Sequence, residues 1–148
     1  MKQTLSQETY PMFTLEVEKS ETTYRSVDEI IEFLHEKIED NRSARYIAIF
    51  DHYAHTRDLD EGRVDKSILA AKNIIFCFGF TLPNPQVLGL RPRSIGVAET
   101  EDNFVISFME APMPVANVVM ETWALAIRDI TDDAGGAASE EATPLLQN

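Results

Sequence analysis

SIGVAETEDNFVISFME, residues 94–110, is the stretch on which the fold turns. Two apolar-rich segments, Ser94–Glu99 and Phe104–Glu110, flank the four polar residues Thr100-Glu101-Asp102-Asn103. So short a polar connection predicts an antiparallel hairpin, because parallel strands need a crossover of a dozen residues or more. Whatever sheet the chain builds therefore contains an antiparallel pair near its C-terminal end.

Working back from the hairpin, PNPQVLGLRP, residues 83–92, reads as a loop by its three prolines and one glycine. Before it, Asn73–Thr81 reads as a strand with Ile74, Phe76, Phe78 and Phe80 on one face and Ile75, Cys77 and Gly79 on the other. The segment from Tyr53 to Lys72 is charged and irregular, with Gly62 as a breaker and a short helix expected around Val64–Ala71. Arg45–Asp51 is another strand, and its two apolar faces predict a central place in the sheet. Upstream lies a helix, SETTYRSVDEIIEFLHEKIED. Ser26 is placed to cap the Glu29 N–H, and Glu29 to reach back to the Ser26 N–H. Val27, Ile30, Ile31, Leu34 and Ile38 form its apolar face. Phe13, Leu15 and Val17 alternate with polar residues in a half-buried first strand.

Downstream of the hairpin, Pro112 and Pro114 introduce a last helix. Its expected buried stripe is Val115, Val118, Val119, Thr122, Trp123, Ala126, Ile127 and Ile130, with Trp123 against the Phe76–Phe78–Phe80 face. The order β-α-β-β-β-β-α predicts an α+β fold, a five-stranded, mainly antiparallel sheet with two amphipathic helices packed on it. One domain over residues 1–131 is expected, followed by a disordered acidic tail, 132–148, of small and acidic residues without apolar periodicity.

At 148 residues the chain is long enough to bury a core without disulfides or a structural metal. Its 25 acidic against 13 basic residues give a net charge of −12, which disfavours nucleic acid and anionic membrane surfaces as partners. Arg91 and Arg93 are too few to reverse that. Cys77, the single cysteine, cannot form an intrachain disulfide. The N-terminus has no signal-peptide pattern, and IIFCFGF, residues 74–80, is too short to span a bilayer. A soluble cytoplasmic protein is the expectation.

Chemistry concentrates in FDHYAHT, residues 50–56, which holds two of the three histidines. His52 and His55 converge only if the backbone is helical or turns there, since on a continuing strand they point apart. Asp51 and Asp58 lie nearby, but a metal site wants a third or fourth ligand, His35 is on a helix and Cys77 on another strand, so no metal is assigned and the cofactor is left open. Adjacent on a strand, Asp51 and His52 diverge and cannot pair with each other, although Asp51 could orient His55 through a turn. Cys77 is a candidate thiol nucleophile against the commoner role of a small buried hydrophobe. The structural alternative for Asp51 is a cap on the following turn. Gly79 inside a strand suggests a bulge or a close approach by a backbone or ligand, and shares a face with Cys77.

The elements IAIFDHYAHT, IIFCFGF, LRPRSIGVAETEDNFVISF and APMP, across residues 25–115, resemble the domain-of-unknown-function 302 family of small bacterial proteins. The matching positions are Asp51, His52, Phe78 and Gly79. In the family an Asn-Pro follows the Phe-Gly directly, whereas here Phe80-Thr81-Leu82 intervenes. The resemblance implies an α+β fold and a symmetric homodimer, and no settled activity. The reading that follows is a homodimeric module binding a small molecule or a protein, with Asp51, His52, His55, Cys77 and Gly79 as candidate ligand-binding residues. The alternative is a metal-dependent or acid–base enzyme built on Asp51-His52 and His55. Apolar Val87, Leu88, Leu90 and Met113 in loops call for a cover, and a subunit interface would supply one.

Overall fold

The computed structural model describes residues 1–5 and 11–129. Five strands form one sheet: β1 (Met12–Glu18), β2 (Ala44–Asp51), β3 (Ala70–Phe78), β4 (Arg93–Glu99) and β5 (Asn103–Met109). Among the described residues three α-helices accompany them: α1 (Val27–Asp40), α2 (His52–Arg57) and α3 (Pro114–Leu125). The strand order is β1-β5-β4-β3-β2 and every pair is antiparallel. The expected α+β architecture is therefore the observed one, and the hairpin at 94–110 forms its β4–β5 pair, with Glu99 opposite Phe104. The expected acidic tail lies outside the described residues.

The core lies on one face of the sheet. Alternation along the strands sends Ile74, Phe76, Phe78, Ile95, Val97, Phe104, Ile106 and Phe108 to that face, where they join the buried residues of α1 and α3. Helix α1 buries the five residues predicted for it. Ser26 Oγ accepts the Glu29 N–H at 3.1 Å, but the Glu29 carboxylate accepts from Arg25, one residue further back than expected. Trp123 of α3 stacks on Phe78 and meets Phe76 edge-on, as anticipated. Thr22, a buried polar residue, donates to the carbonyl of Ile127 at 2.7 Å and ties the end of the α3 region to the segment after β1.

Several expectations are corrected. Strand β2 is an edge, not central: Ile47, Ile49 and Phe50 are exposed and a bulge lies between Tyr46 and Ala48. Apolar residues on both faces do not require burial, and a bulge is a common device at an edge. No helix forms over Val64–Ala71; β3 starts at Ala70, while the helix in that region is α2, right after β2. Strand β3 ends at Phe78 because Gly79 takes φ = +105°, so Phe80 leaves the aromatic face and is exposed. The buried residues of the last helical region are Ala116, Met120, Trp123, Ala124 and Ile127, with Val115 exposed. The apolar residues of α3 surround the helix axis almost evenly, so periodicity selected the wrong phase.

Candidate functional site

The five candidate residues separate into two places. Asp51 pairs with Lys72 across the β2–β3 ladder, whereas Cys77 pairs with Arg45. Five residues along β3 correspond to about 17 Å. The histidines and the cysteine are thus at opposite ends of the sheet and cannot share a reaction centre.

At the first end, Asp51 Oδ1 accepts the Ala54 N–H at 2.9 Å and caps α2. The helix brings the two imidazoles together, with ring centroids 6.1 Å apart and each about 5.1 Å from Phe50. His52 Nδ1 lies 3.0 Å from Asn73 Oδ1, and Asn73 Nδ2 donates to Ser94 Oγ at 3.0 Å. With Asn73 Oδ1 accepting, His52 Nδ1 is the donor of this bond. The Ser94 hydroxyl meets an amide rather than an imidazole in this chain, so it lacks the base that would activate it as a nucleophile. Among the described residues no three His, Cys, Asp or Glu side chains converge on a point where a metal could sit. The third histidine, His35, stacks on Tyr46 and bonds Glu39 on the helix side of the sheet.

At the second end, the half-buried Cys77 thiol lies 3.7 Å from the carbonyl oxygen of its neighbour Phe78. On the opposite face of the sheet, next to Phe78, the chain opens an apolar cavity of about 210 Å³ between the end of β3, the loop after it and the first turn of α3. Phe78, Val87, Leu90, Met113 and Ala116 supply apolar walls, and Arg91 and Arg93 border the space, while the Arg91 guanidinium bonds the Thr81 carbonyl. Local sequence explains its shape. Asn84 caps a 3-10 turn at Pro85–Gly89 by accepting the Val87 N–H at 2.9 Å, and the turn holds Val87 and Leu90 at the cavity. Asn117 exchanges two hydrogen bonds with the backbone of Ala111, fixing the entry to α3. Gly79 borders this place: a Cβ there would lie 3.0 Å from the Arg91 guanidinium.

A family profile matches residues 1–129. The chain belongs to the family of unknown function DUF6858. No curated protein matches it. Among solved structures it is similar to the uncharacterized conserved protein DUF302 from Bacillus stearothermophilus, with 18% identity, a TM-score of 0.43, and coverage of 92% of this chain and 93% of that one. Neither comparison names an activity. No helix among the described residues is long and apolar enough to cross a membrane.

The cavity residues are those that sequence reasoning passed over as a site. Two signals pointed there. Val87, Leu90 and Met113 are apolar residues stranded in proline-rich loops, and Arg91 and Arg93 are a close pair of cations in an acidic chain. The first was read as a subunit interface and the second only as too few charges for nucleic acid.

Proposed function

We propose that this DUF6858 protein is a soluble cytoplasmic small-ligand-binding module that works as a homodimer. The observation that carries the reading is the apolar cavity of about 210 Å³ beside Phe78. Its walls are side chains from three separate parts of the chain, and Asn84 and Asn117 fix two of them by accepting the Val87 and Ala111 N–H groups, which supports a preformed space. A cavity of about 150 Å³ accommodates benzene; this one suits a single ring with one substituent, or a short branched chain. Catalysis finds less support, because Asp51 is engaged as a helix cap, Ser94 faces an amide and Cys77 is far from either clustered histidine.

The second copy is supported by the sheet face opposite the core. Neither α1 nor α3 covers it, and its centre carries half-buried Ile75, Cys77, Ala98 and Val105, with Met12 and Met109 exposed at one end. So weakly charged a face, in a chain that is 26% charged, suits a self-complementary two-fold contact. On this reading the His52–Asn73 pair forms a polar margin of that face beside the exposed Phe50.

Titrating the isotope-labelled protein with toluene tests the cavity. Amide shifts confined to Phe78, Leu90, Met113 and Ala116 are expected; shifts scattered over the surface, or none, would reject it. Native mass spectrometry tests the assembly, with twice the 16.7 kDa chain mass expected and a monomer at micromolar concentration contradicting the dimer.

A further inference from the structure

We propose that the ligand of this cavity is the end of a longer hydrocarbon chain whose polar head stays outside in water, an inference that rests on the cavity being a ligand site. Eight of its ten lining residues have apolar side chains. The other two are Arg91 and Arg93, and both are engaged elsewhere: Arg91 donates to the Thr81 carbonyl at 2.6 Å, and Arg93 to the carbonyls of Leu90 and Met109. Backbone groups of the lining are taken up in the same way. Asn84 accepts the Val87 N–H, the Val87 carbonyl accepts the Leu90 N–H, and Asn117 bonds both the N–H and the carbonyl of Ala111. Pro83 and Pro112 have no N–H to offer. A hydroxyl or a charge carried into this space would give up water for little in return. The buried part of the ligand is therefore bare hydrocarbon.

The mouth indicates that the hydrocarbon continues outward. Leu82, Leu88 and Val115 are 69%, 63% and 73% exposed. Each is the chain neighbour of a lining residue, Pro83, Val87 and Ala116 in turn, and Met113 both lines the cavity and is 41% exposed. The three segments that wall the space thus each expose an apolar side chain within one residue of it. Apolar groups left in water around a concave apolar site mark a surface that a bound molecule covers. Size sets the length at which that cover begins. At the ratio of about 150 Å³ for the six carbons of benzene, about 210 Å³ takes roughly eight carbons. A longer chain has to leave across the mouth, where Leu82, Leu88, Met113 and Val115 give it apolar contact. A chain free in solution is the source that fits the charge, because at −12 the protein is repelled by an anionic bilayer surface.

The probes are n-hexanol, n-octanol, n-decanol and 1,8-octanediol, titrated into the full chain and followed by amide shifts. Each CH₂ removed from water multiplies affinity about fourfold, so a cavity acting alone would stop gaining at octanol. Decanol is expected to bind at least about fivefold tighter than octanol, since its last two CH₂ groups are covered in part, and to shift Leu82, Leu88 and Val115 together with the cavity amides. The diol puts a hydroxyl where octanol has its methyl end, and is expected to bind at least about tenfold more weakly than octanol. Leu88→Ser, at an exposed position, should reduce the decanol-to-octanol ratio. Decanol no tighter than octanol would overturn the continuing chain, and a diol equal to octanol would overturn the bare hydrocarbon end. In either case binding of toluene would leave the cavity itself standing. Binding of neither toluene nor any alcohol would overturn both readings. Shifts at the mouth that follow protein concentration without ligand would assign it to a second copy and likewise overturn the chain. If L88S fails to fold, the comparisons in the parent protein still decide.

Discussion

Replacing Ala116 with leucine should stabilise the protein and abolish ligand binding in one step. Ala116 is buried on the first turn of α3 and lines the cavity of about 210 Å³. Leucine adds three carbons, which would contribute roughly 2.4 kcal/mol at about 0.8 kcal/mol per buried CH₂. Immobilising the new side chain costs about 0.5–1 kcal/mol. The cavity mouth leaves part of the leucine wet, so a net gain of about 1 kcal/mol is expected, in line with other cavity-filling changes. For a domain of this size that is a rise in Tm of about 3–5 °C. Scanning calorimetry reads the stability, and toluene titration reads the binding. A loss of more than about 1 kcal/mol would mean overpacking in a space that is already full. Raised stability with undiminished toluene binding would place the ligand elsewhere.

Gly79→Ala should cost about 1–3 kcal/mol in urea unfolding, because φ = +105° suits glycine and the added Cβ would press on Arg91; a neutral result would refute the close packing of Arg91 on the strand end. Asp51→Ala should cost about 1 kcal/mol or less by removing the cap on Ala54, whereas D51N should be nearly neutral; equal losses for both would point to the charge of Asp51 rather than its capping oxygen. Burial, and then the neighbouring Glu110 carboxylate, push the Glu121 carboxyl above its ordinary range. A raised folded-state pKa contributes stability that is present below the unfolded value and lost as pH rises through the folded one. Glu121→Gln should therefore raise Tm at pH 7 by a degree or two and leave it unchanged near pH 4, and a gain of equal size at both pH values would exclude ionisation as the cause.

The sequence was most legible where one face of an element is apolar and the other polar. Helix α1, with Ile30, Ile31, Leu34 and Ile38 on a single stripe, and strand β1, with Phe13, Leu15 and Val17, follow their patterns closely. It was least legible where that contrast disappears. The uniformly apolar α3 concealed its phase, and the two apolar faces of β2 suggested a central strand because exposed Ile47 and Ile49 look the same in sequence as buried ones. Helix α2 was masked by its six-residue length, although the Asp51 cap that starts it was recognised as a local option. The histidine pair depended on that helix: three residues apart, the rings separate on a strand and meet on a turn of helix. The cavity was beyond pattern reading. It joins Phe78, Leu90 and Ala116 across loops whose path no periodicity specifies, and the local clues, apolar residues in proline-rich loops and a glycine at a strand end, do not say which residues meet.

Diffraction from crystals pressurised with xenon offers the most direct test of the central claim. Xenon enters dry apolar cavities and needs no chemical recognition. A xenon peak bounded by Phe78, Val87, Leu90, Met113 and Ala116 is the predicted result. Xenon at other sites with none at this one, in crystals whose loop 80–92 is free of lattice contacts, would contradict the cavity and the function built on it.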